Sequence, residues 1–266
     1  MPRDESDLFR RSLETARRAA RTAGEIIREK SGTAFRVDRK GAADLVTEVD
    51  LAAERAVIAV ISDEFSSHRI AAEESGRGKG DSEFRWWIDP IDGTTNFVHG
   101  YPFYSVSIAL EFRGEIAAGV VYDPVRDEMF EALKSAGARL NGREIRVSPV
   151  TVLSDALLAT GFPYDRSDRG RALAVTAGLL PRIQGLRRAG SAALDLSYVA
   201  AGRLDGFWEG GLKPWDTAAG RLLVEEAGGT VSDLAGDGFD LQRGEIAATN
   251  GKIHRELISG LNQNPA

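Results

Sequence analysis

Residues 87–97 read Trp-Ile-Asp-Pro-Ile-Asp-Gly-Thr-Thr-Asn-Phe, and no other segment restricts the chain as tightly. An apolar strand runs into Asp89, and Pro90, which has no N–H, is expected to stop the strand ladder there. Asp92 follows three residues later, and Gly93-Thr94-Thr95 can open a helix whose first N–H groups have no intrahelical partner. Two carboxylates at a strand end can hold hard cations, while the adjacent helix start can hold a phosphate oxygen through its N–H groups and dipole. An Asp-Pro turn followed by a helix cap is the plainer reading and would suffice for an isolated Asp-Pro-x-Asp. The full string favours a site.

Composition narrows the chemistry. The 266 residues contain no cysteine, which excludes a disulfide framework, a thiolate nucleophile and a zinc–cysteine centre. Only His68, His99 and His254 supply imidazole, so a metal here should be held by oxygen, as Mg2+, Mn2+ or Ca2+ are. The formal net charge of −6 gives no basic face for nucleic acid, and no direct nucleic-acid partner is expected. A phosphorylated substrate stays open, because a divalent cluster reverses the local field whatever the total charge. The start, MPRDESDLFRRSLE, has no apolar signal core, and no apolar run is long enough to span a bilayer, so a cytoplasmic protein is expected.

Apolar spacing predicts a helix over about Glu5–Glu29 and a second from Thr47 or Asp50 to about Ser62, with a loop or hairpin tip at Asp38–Asp44 between them. Strands are predicted at Arg69–Ala72, Phe84–Asp89, Ser105–Phe112, Glu115–Asp123, Asp127–Leu133 and Ala138–Val147, the last turning at Asn141-Gly142. This half reads as two helices on an antiparallel sheet. Beyond Pro149, strands and helices alternate: Ala156–Thr160, Asp168–Leu180, Gln184–Arg188, Ser191–Ala201, Leu204–Trp208, Trp215–Ala227, Glu245–Ala248, and a terminal helix from about Gly251. The expected organisation is an N-terminal α+β half over 1–148 and a C-terminal α/β half over 149–266.

Three further acidic segments stand out. Glu73-Glu74 follows a short strand, where Glu73 can be a third oxygen ligand at a strand end; taken alone, an acidic surface turn is the plainer reading. Asp216, in Lys213-Pro214-Trp215-Asp216, reads as a ligand or as a helix-start residue favoured by the dipole. Asp50 introduces the second helix and can cap it or orient a catalytic group.

Taken together, KGAADLVTEVD, AAEES, WWIDPIDGTTNFVHGYPFYSVSIAL, RRAGSAALDLSYVAAGRLDGFWE and LKPWDTAAG resemble the inositol monophosphatase family of lithium-sensitive, magnesium-dependent phosphatases, in order and spacing along nearly the whole chain. The resemblance implies an α/β fold of the sugar-phosphatase type, a layered α-β-α-β-α sandwich, and commonly a homodimer. It implies that Glu73, Asp89 and the Ile91 carbonyl hold one Mg2+, that Asp89, Asp92 and Asp216 hold a second, and that Glu73 helps hold a third. Phosphate would sit on the N–H groups of Gly93 and Thr94. Asp50 would bond Thr94 and help activate the attacking water. Gly190, Ser191, Ala192 and Glu209 would contact the alcohol, and Lys40 would lie on a mobile loop. Ala72 departs from the pattern, standing where the family usually has Gly.

The implied reaction is in-line hydrolysis of a small phosphomonoester, inositol 1-phosphate first, with no covalent phosphoenzyme. Fructose-1,6-bisphosphatase, histidinol-phosphatase and dual-specificity sugar phosphatase activities are the alternatives, and a non-catalytic partner of the transcription machinery is the alternative of another class. Arg187 and Arg188 read equally as contacts to a second phosphate or hydroxyl and as solvated charges. Phe162, Pro163 and Tyr164 are candidates for the pocket wall or for loop packing, and Trp86, Trp87, Trp208 and Trp215 are expected to pack the core.

Overall fold

The computed structural model describes residues 3–41, 45–78, 80–163 and 169–263. The first half runs α1 (Arg3–Lys30), β1 (Val37–Arg39), β2 (Leu45–Thr47), α2 (Glu48–Glu64), β3 (Arg69–Ala72), β4 (Gly76–Arg77), β5 (Phe84–Asp92), α3 (Thr94–Val98), β6 (Ser105–Phe112), β7 (Glu115–Asp123), β8 (Glu128–Leu133), β9 (Ala138–Leu140) and β10 (Arg143–Glu144). The second half continues β11 (Leu157–Thr160), α4 (Arg169–Leu179), β12 (Gly185–Arg187), α5 (Ala192–Ala200), β13 (Gly206–Gly210), α6 (Pro214–Glu226), β14 (Thr230–Ser232), β15 (Glu245–Thr249) and α7 (His254–Asn262).

Two large sheets form. An eight-stranded sheet has the order β10-β9-β8-β7-β6-β5-β3-β4, and a five-stranded sheet the order β12-β11-β13-β15-β14. The first is antiparallel except for β3 beside β5. In the second, β11 runs parallel to β12 and β13, and β15 runs antiparallel to both its neighbours. Helices α1 and α2 cover one face of the large sheet, α5 and α6 lie between the sheets, and α4 and α7 cover the far face of the small one. The α-β-α-β-α sandwich is thus present.

Alternating sequence patterns explain the layers, since a sheet buried on both faces needs apolar residues on both. In β6, Val106, Ile108 and Leu110 pack with α1 and α2, whereas Ala109 belongs to the core that faces α5 and α6. That central core takes Trp87, Val121 and Phe130 from the first half and Leu194, Phe207 and Leu223 from the second. Trp86, Trp87 and Trp208 pack in the core as expected.

Two local expectations need correction. Pro90 does not end the ladder: β5 pairs with β6 up to Asp89↔Ser107, slips, and resumes at Asp92↔Ser105. The missing N–H is absorbed in a bulge, where the Asp89 carboxylate accepts the Ile91 N–H at 3.0 Å. β4 and β14 carry no prediction; they span two and three residues, too short for a periodic signal. The 38–44 tip is flanked by the antiparallel pair β1–β2, but Asp44 and, at the start of α4, Asp168 lie outside the described residues. Ala72 sits in β3 opposite Gly76 and Ile88, in ordinary strand pairing.

Candidate active site

A cavity of about 200 Å³ opens where the two halves meet, a size suited to a small metabolite. Its wall includes Glu73, Asp89, Asp92 and Asp216, the carboxylates expected to carry metal, together with Ile91. Gly93, Thr94, Gly190, Ala192, Glu209, Arg188 and Lys40 also line it.

Each acidic group is held by the local fold. The β5 bulge turns Asp89 and Asp92 into the same space, and Asp89 is only 2 % exposed. Asp92 Oδ2 accepts from Ser191 Oγ at 2.6 Å and from the Ala193 N–H at 2.7 Å, at the start of α5. Asp216, in the first turn of α6, accepts the Lys213 N–H at 2.7 Å. The Ser107 hydroxyl donates to the Trp215 carbonyl at 2.9 Å and ties that helix start to β6. Glu73 leaves β3 with its N–H on the Ile88 carbonyl at 3.1 Å, and its side chain shares a hydrogen bond with Asp89.

Burial is the main cause of four upward pKa shifts. Asp89 and Asp216 are pushed well above the ordinary carboxylate range, Glu73 is raised, and Asp92 is pushed up to about 6 against the opposing bonds from Ser191 and Ala193. For Asp89, repulsion from Glu73, Asp92 and Asp216 adds to burial. Crowding four carboxylates on one cavity favours the entry of cations, which would offset their mutual repulsion. The donor set is all oxygen, which suits Mg2+ or Mn2+. Among the described residues no three acidic or histidine side chains stand close enough together to hold a metal ion as placed; the four carboxylates share a cavity wall without preformed coordination.

Beside this cluster, Gly93 caps α3 with φ +102. A side chain there would also meet the Phe103 and Gly190 carbonyls at 3.1 and 3.2 Å, so glycine is required twice over. Asp50 does not line the cavity. It is buried behind it, closing the capping box with Thr47 and accepting from Thr94 Oγ1 at 2.9 Å. The same hydroxyl lies 3.0 Å from the Ile91 carbonyl. Lys40 pairs with Glu73 at 2.8 Å and Glu74 at 2.5 Å. Burial works against its charge, but the two glutamates more than offset it and hold the ammonium above its ordinary value.

Ser191 departs from its expected place against the alcohol. It is 1 % exposed and absent from the cavity wall, because its hydroxyl is occupied by Asp92 and by capping α5. Gly190, Ala192, Glu209 and Arg188 do face the cavity, whereas Arg187 is exposed and turns back to the Leu186 carbonyl. Phe162, Pro163 and Trp215 are wall residues; Tyr164 lies outside the described residues.

The sequence reading passed over several contributors. Glu54, one turn after Asp50 on α2, accepts the Glu74 N–H at 2.8 Å and holds the Glu73-Glu74 turn; the i, i+4 spacing of two acidic residues was the available signal. Asn96 donates to the Phe103 and Ala189 carbonyls, at 2.7 and 2.8 Å, joining α3 to the loop before α5. Gly161 leaves room for Glu209, whose carboxylate oxygens would lie 2.0 and 2.1 Å from any Cβ there. Asp195 also lines the cavity.

The inositol monophosphatase family model matches residues 10–266. The Nus factor SuhB of Pseudomonas aeruginosa is 48% identical over 257 residues, 93% of this chain and 94% of that protein. An inositol-1-monophosphatase of Synechocystis sp. is 48% identical over 256 residues, 95% of this chain and 89% of that protein. Among solved structures, the extragenic suppressor protein suhB of Bartonella henselae superposes with TM-score 0.93 at 42% identity, over 96% of this chain and 99% of that one. Inositol monophosphatase from Anabaena (Nostoc) sp. PCC 7120 gives 0.87 at 43%, over 96% and 97%. The chain belongs to the inositol monophosphatase family.

Proposed function

We propose that this protein is a Mg2+-dependent phosphatase of a small phosphomonoester, with inositol 1-phosphate the first candidate substrate. The observation that carries the reading is the meeting of Glu73, Asp89, Asp92 and Asp216, drawn from four separate segments, on one small cavity. Glu73, Asp89 and the Ile91 carbonyl would hold one ion, Asp89, Asp92 and Asp216 a second, and Glu73 would contribute to a third; Mn2+ could replace Mg2+. Bound there, the ions would neutralise phosphate oxygens, lower the pKa of a water and stabilise the leaving alkoxide.

The chain's own groups do the positioning. Gly93 and Thr94 offer the phosphate backbone N–H groups at the start of α3. Asp50 accepts the Thr94 hydroxyl hydrogen bond, which leaves an oxygen lone pair on Thr94 to accept from the attacking water. Glu73 stands on the same cavity as a second acceptor. Lys40 would have to release Glu73 for the ions to be held there. Gly190, Ala192, Glu209 and Arg188 line the side left for the alcohol.

Turnover of inositol 1-phosphate, fructose 1,6-bisphosphate and histidinol phosphate by purified protein with Mg2+ tests the assignment. Release of phosphate from the first, blocked by EDTA and inhibited by lithium, supports it. No release from any of the three refutes it. A homodimer is part of the same reading, and light scattering decides it.

A Nus-factor role is a second reading, favoured by the name carried by several relatives, including one 48% identical over 93% of this chain. A pull-down from lysate with the Asp92→Asn variant separates the two. Transcription proteins captured by a variant without hydrolysis would show that the roles are independent.

A further inference from the structure

Four charged side chains on the cavity wall have no hydrogen bond or ion pair to their charged groups among the described residues: Arg188, Asp195, Glu209 and Lys213, the last beside Asp216 at the start of α6. Asp195 is the least expected. It lies in the first turn of α5, its residue is 2 % exposed, and its carboxyl faces the cavity. Its backbone N–H is satisfied by the Ser191 carbonyl at 3.0 Å, but nothing reaches its carboxyl oxygens. Its oxygens are not among the sealed, unpartnered atoms of the described residues and open instead onto the cavity, where water or a ligand must supply the partner. Unpaired on a cavity wall, it is placed to be satisfied by a ligand.

The charges around it restrict that ligand. Burial raises Asp195 well above the ordinary carboxylate range; Glu209 and Asp92 add to the rise and Arg188 opposes it. Glu209, half-buried, is pushed up to about 8, chiefly by desolvation. Arg188 is exposed and sits over Gly190, with Nη1 2.7 Å from where a Cβ would be. One solvent-open guanidinium therefore faces one buried and one half-buried carboxyl group. A neutral hydroxyl fits both: it can donate to a carboxylate or accept from the protonated acid. A second phosphoryl dianion fits poorly. It could gain the guanidinium only by forcing both carboxyl groups to stay protonated.

We propose that Asp195 is a specificity-determining residue: it pairs with a hydroxyl of a polyol monophosphate and, with Glu209, disfavours substrates that carry a second phosphoryl group. The inference deepens the phosphatase reading and rests on it. Specificity here would come from a repulsive element as much as from an attractive one.

The test compares wild type, Asp195→Asn and Asp195→Ala on inositol 1-phosphate, fructose 1,6-bisphosphate and p-nitrophenyl phosphate, the last having no polyol. In the variants, kcat/KM for inositol 1-phosphate should fall about tenfold, chiefly through KM, as expected for one lost hydrogen bond to a buried acidic group. Turnover of p-nitrophenyl phosphate should stay within about twofold, showing that fold and phosphate centre survive. The preference for the bisphosphate over inositol 1-phosphate should rise at least about tenfold. Calorimetric titration with myo-inositol, in the presence of Mg2+ and inorganic phosphate, should show binding weakened about fivefold or more. An unchanged preference and unchanged binding in both variants would overturn the proposal while leaving the phosphatase reading intact. Wild type favouring the bisphosphate would overturn it without any variant. Wild type inert on all three substrates would remove the phosphatase reading and the inference together.

Discussion

The two walls of the cavity are built differently. On the acidic side every carboxylate is already engaged: Asp89 by the Ile91 N–H, Asp92 by Ser191 and Ala193, Asp216 by the Lys213 N–H, Glu73 by Lys40. On the opposite side Asp195, Glu209 and Arg188 are enclosed or overhanging but carry no such bonds. The first wall is tied to its own fold by these bonds, although Glu73 is held by Lys40 and the carboxylates do not stand in a ready coordination shell. The second has no such bonds from the described residues, as the proposed recognition of an alcohol by this wall requires. Changes on the acidic wall should therefore act on every substrate alike, and changes on the other should act on substrates selectively.

The largest expected effect is on the acidic wall. Asp92→Asn or Asp216→Asn should lower kcat/KM by roughly 10²-fold or more for every phosphomonoester, since cation assistance to the transition state is worth several kcal/mol. Circular dichroism should show the fold retained. Selective loss on one substrate would erase the distinction between the walls.

Ser191→Ala comes next. The hydroxyl supports Asp92 and caps α5, so the variant should lose about 1 kcal/mol of stability and about 10- to 100-fold in Mg2+ affinity or activity. Thermal unfolding and a Mg2+ titration of turnover measure the two. A pure KM effect on polyol substrates would instead return Ser191 to the alcohol side.

Gly161→Ala sharpens the other wall. Its Cβ would fall on the Glu209 carboxylate and displace it. KM for inositol 1-phosphate should rise about tenfold, with turnover of p-nitrophenyl phosphate nearly unchanged. Equal losses on both substrates would mean that the two walls are coupled.

The smallest effect lies away from both walls and sets their baseline. His68 is stacked between Phe65 and Phe84 and accepts the Trp86 indole N–H on Nδ1 at 3.1 Å, which requires a neutral ring. Burial lowers its pKa below the ordinary 6.5. The unfolded chain then takes up a proton more readily, so the contribution is complete above about pH 6.5 and fades as pH falls through the lowered folded value. Denaturant midpoints should decrease modestly on acidification, and His68→Phe should flatten that slope.

The contrast between the walls also explains what could be read from residue order alone. The strands β3, β6 and β7 match their predicted bounds residue for residue, because alternation and turn chemistry are local. Asp89, Asp92 and Asp216 were legible because each stands at the junction of an apolar strand or a helix start. Their convergence was legible only through family resemblance, since Asp92 and Asp216 are 124 positions apart in the numbering. The β5 bulge was not, because the ladder that resumes at Asp92 depends on Ser105 of β6. Asp195 was the least legible: an acidic residue in the first turn of a helix looks like a dipole partner. Only the packed fold reveals that it is buried on a cavity wall and unbonded.

The most direct examination of the shared-ion cavity is a Mn2+ titration of the purified protein in the presence of inorganic phosphate, counting bound ions by electron paramagnetic resonance. Wild type should bind at least two ions per chain, and Asp92→Asn and Asp216→Asn should each lose at least one. Wild type that binds no Mn2+ saturably, or variants that bind as many ions as wild type, would contradict the convergence of these carboxylates on common ions.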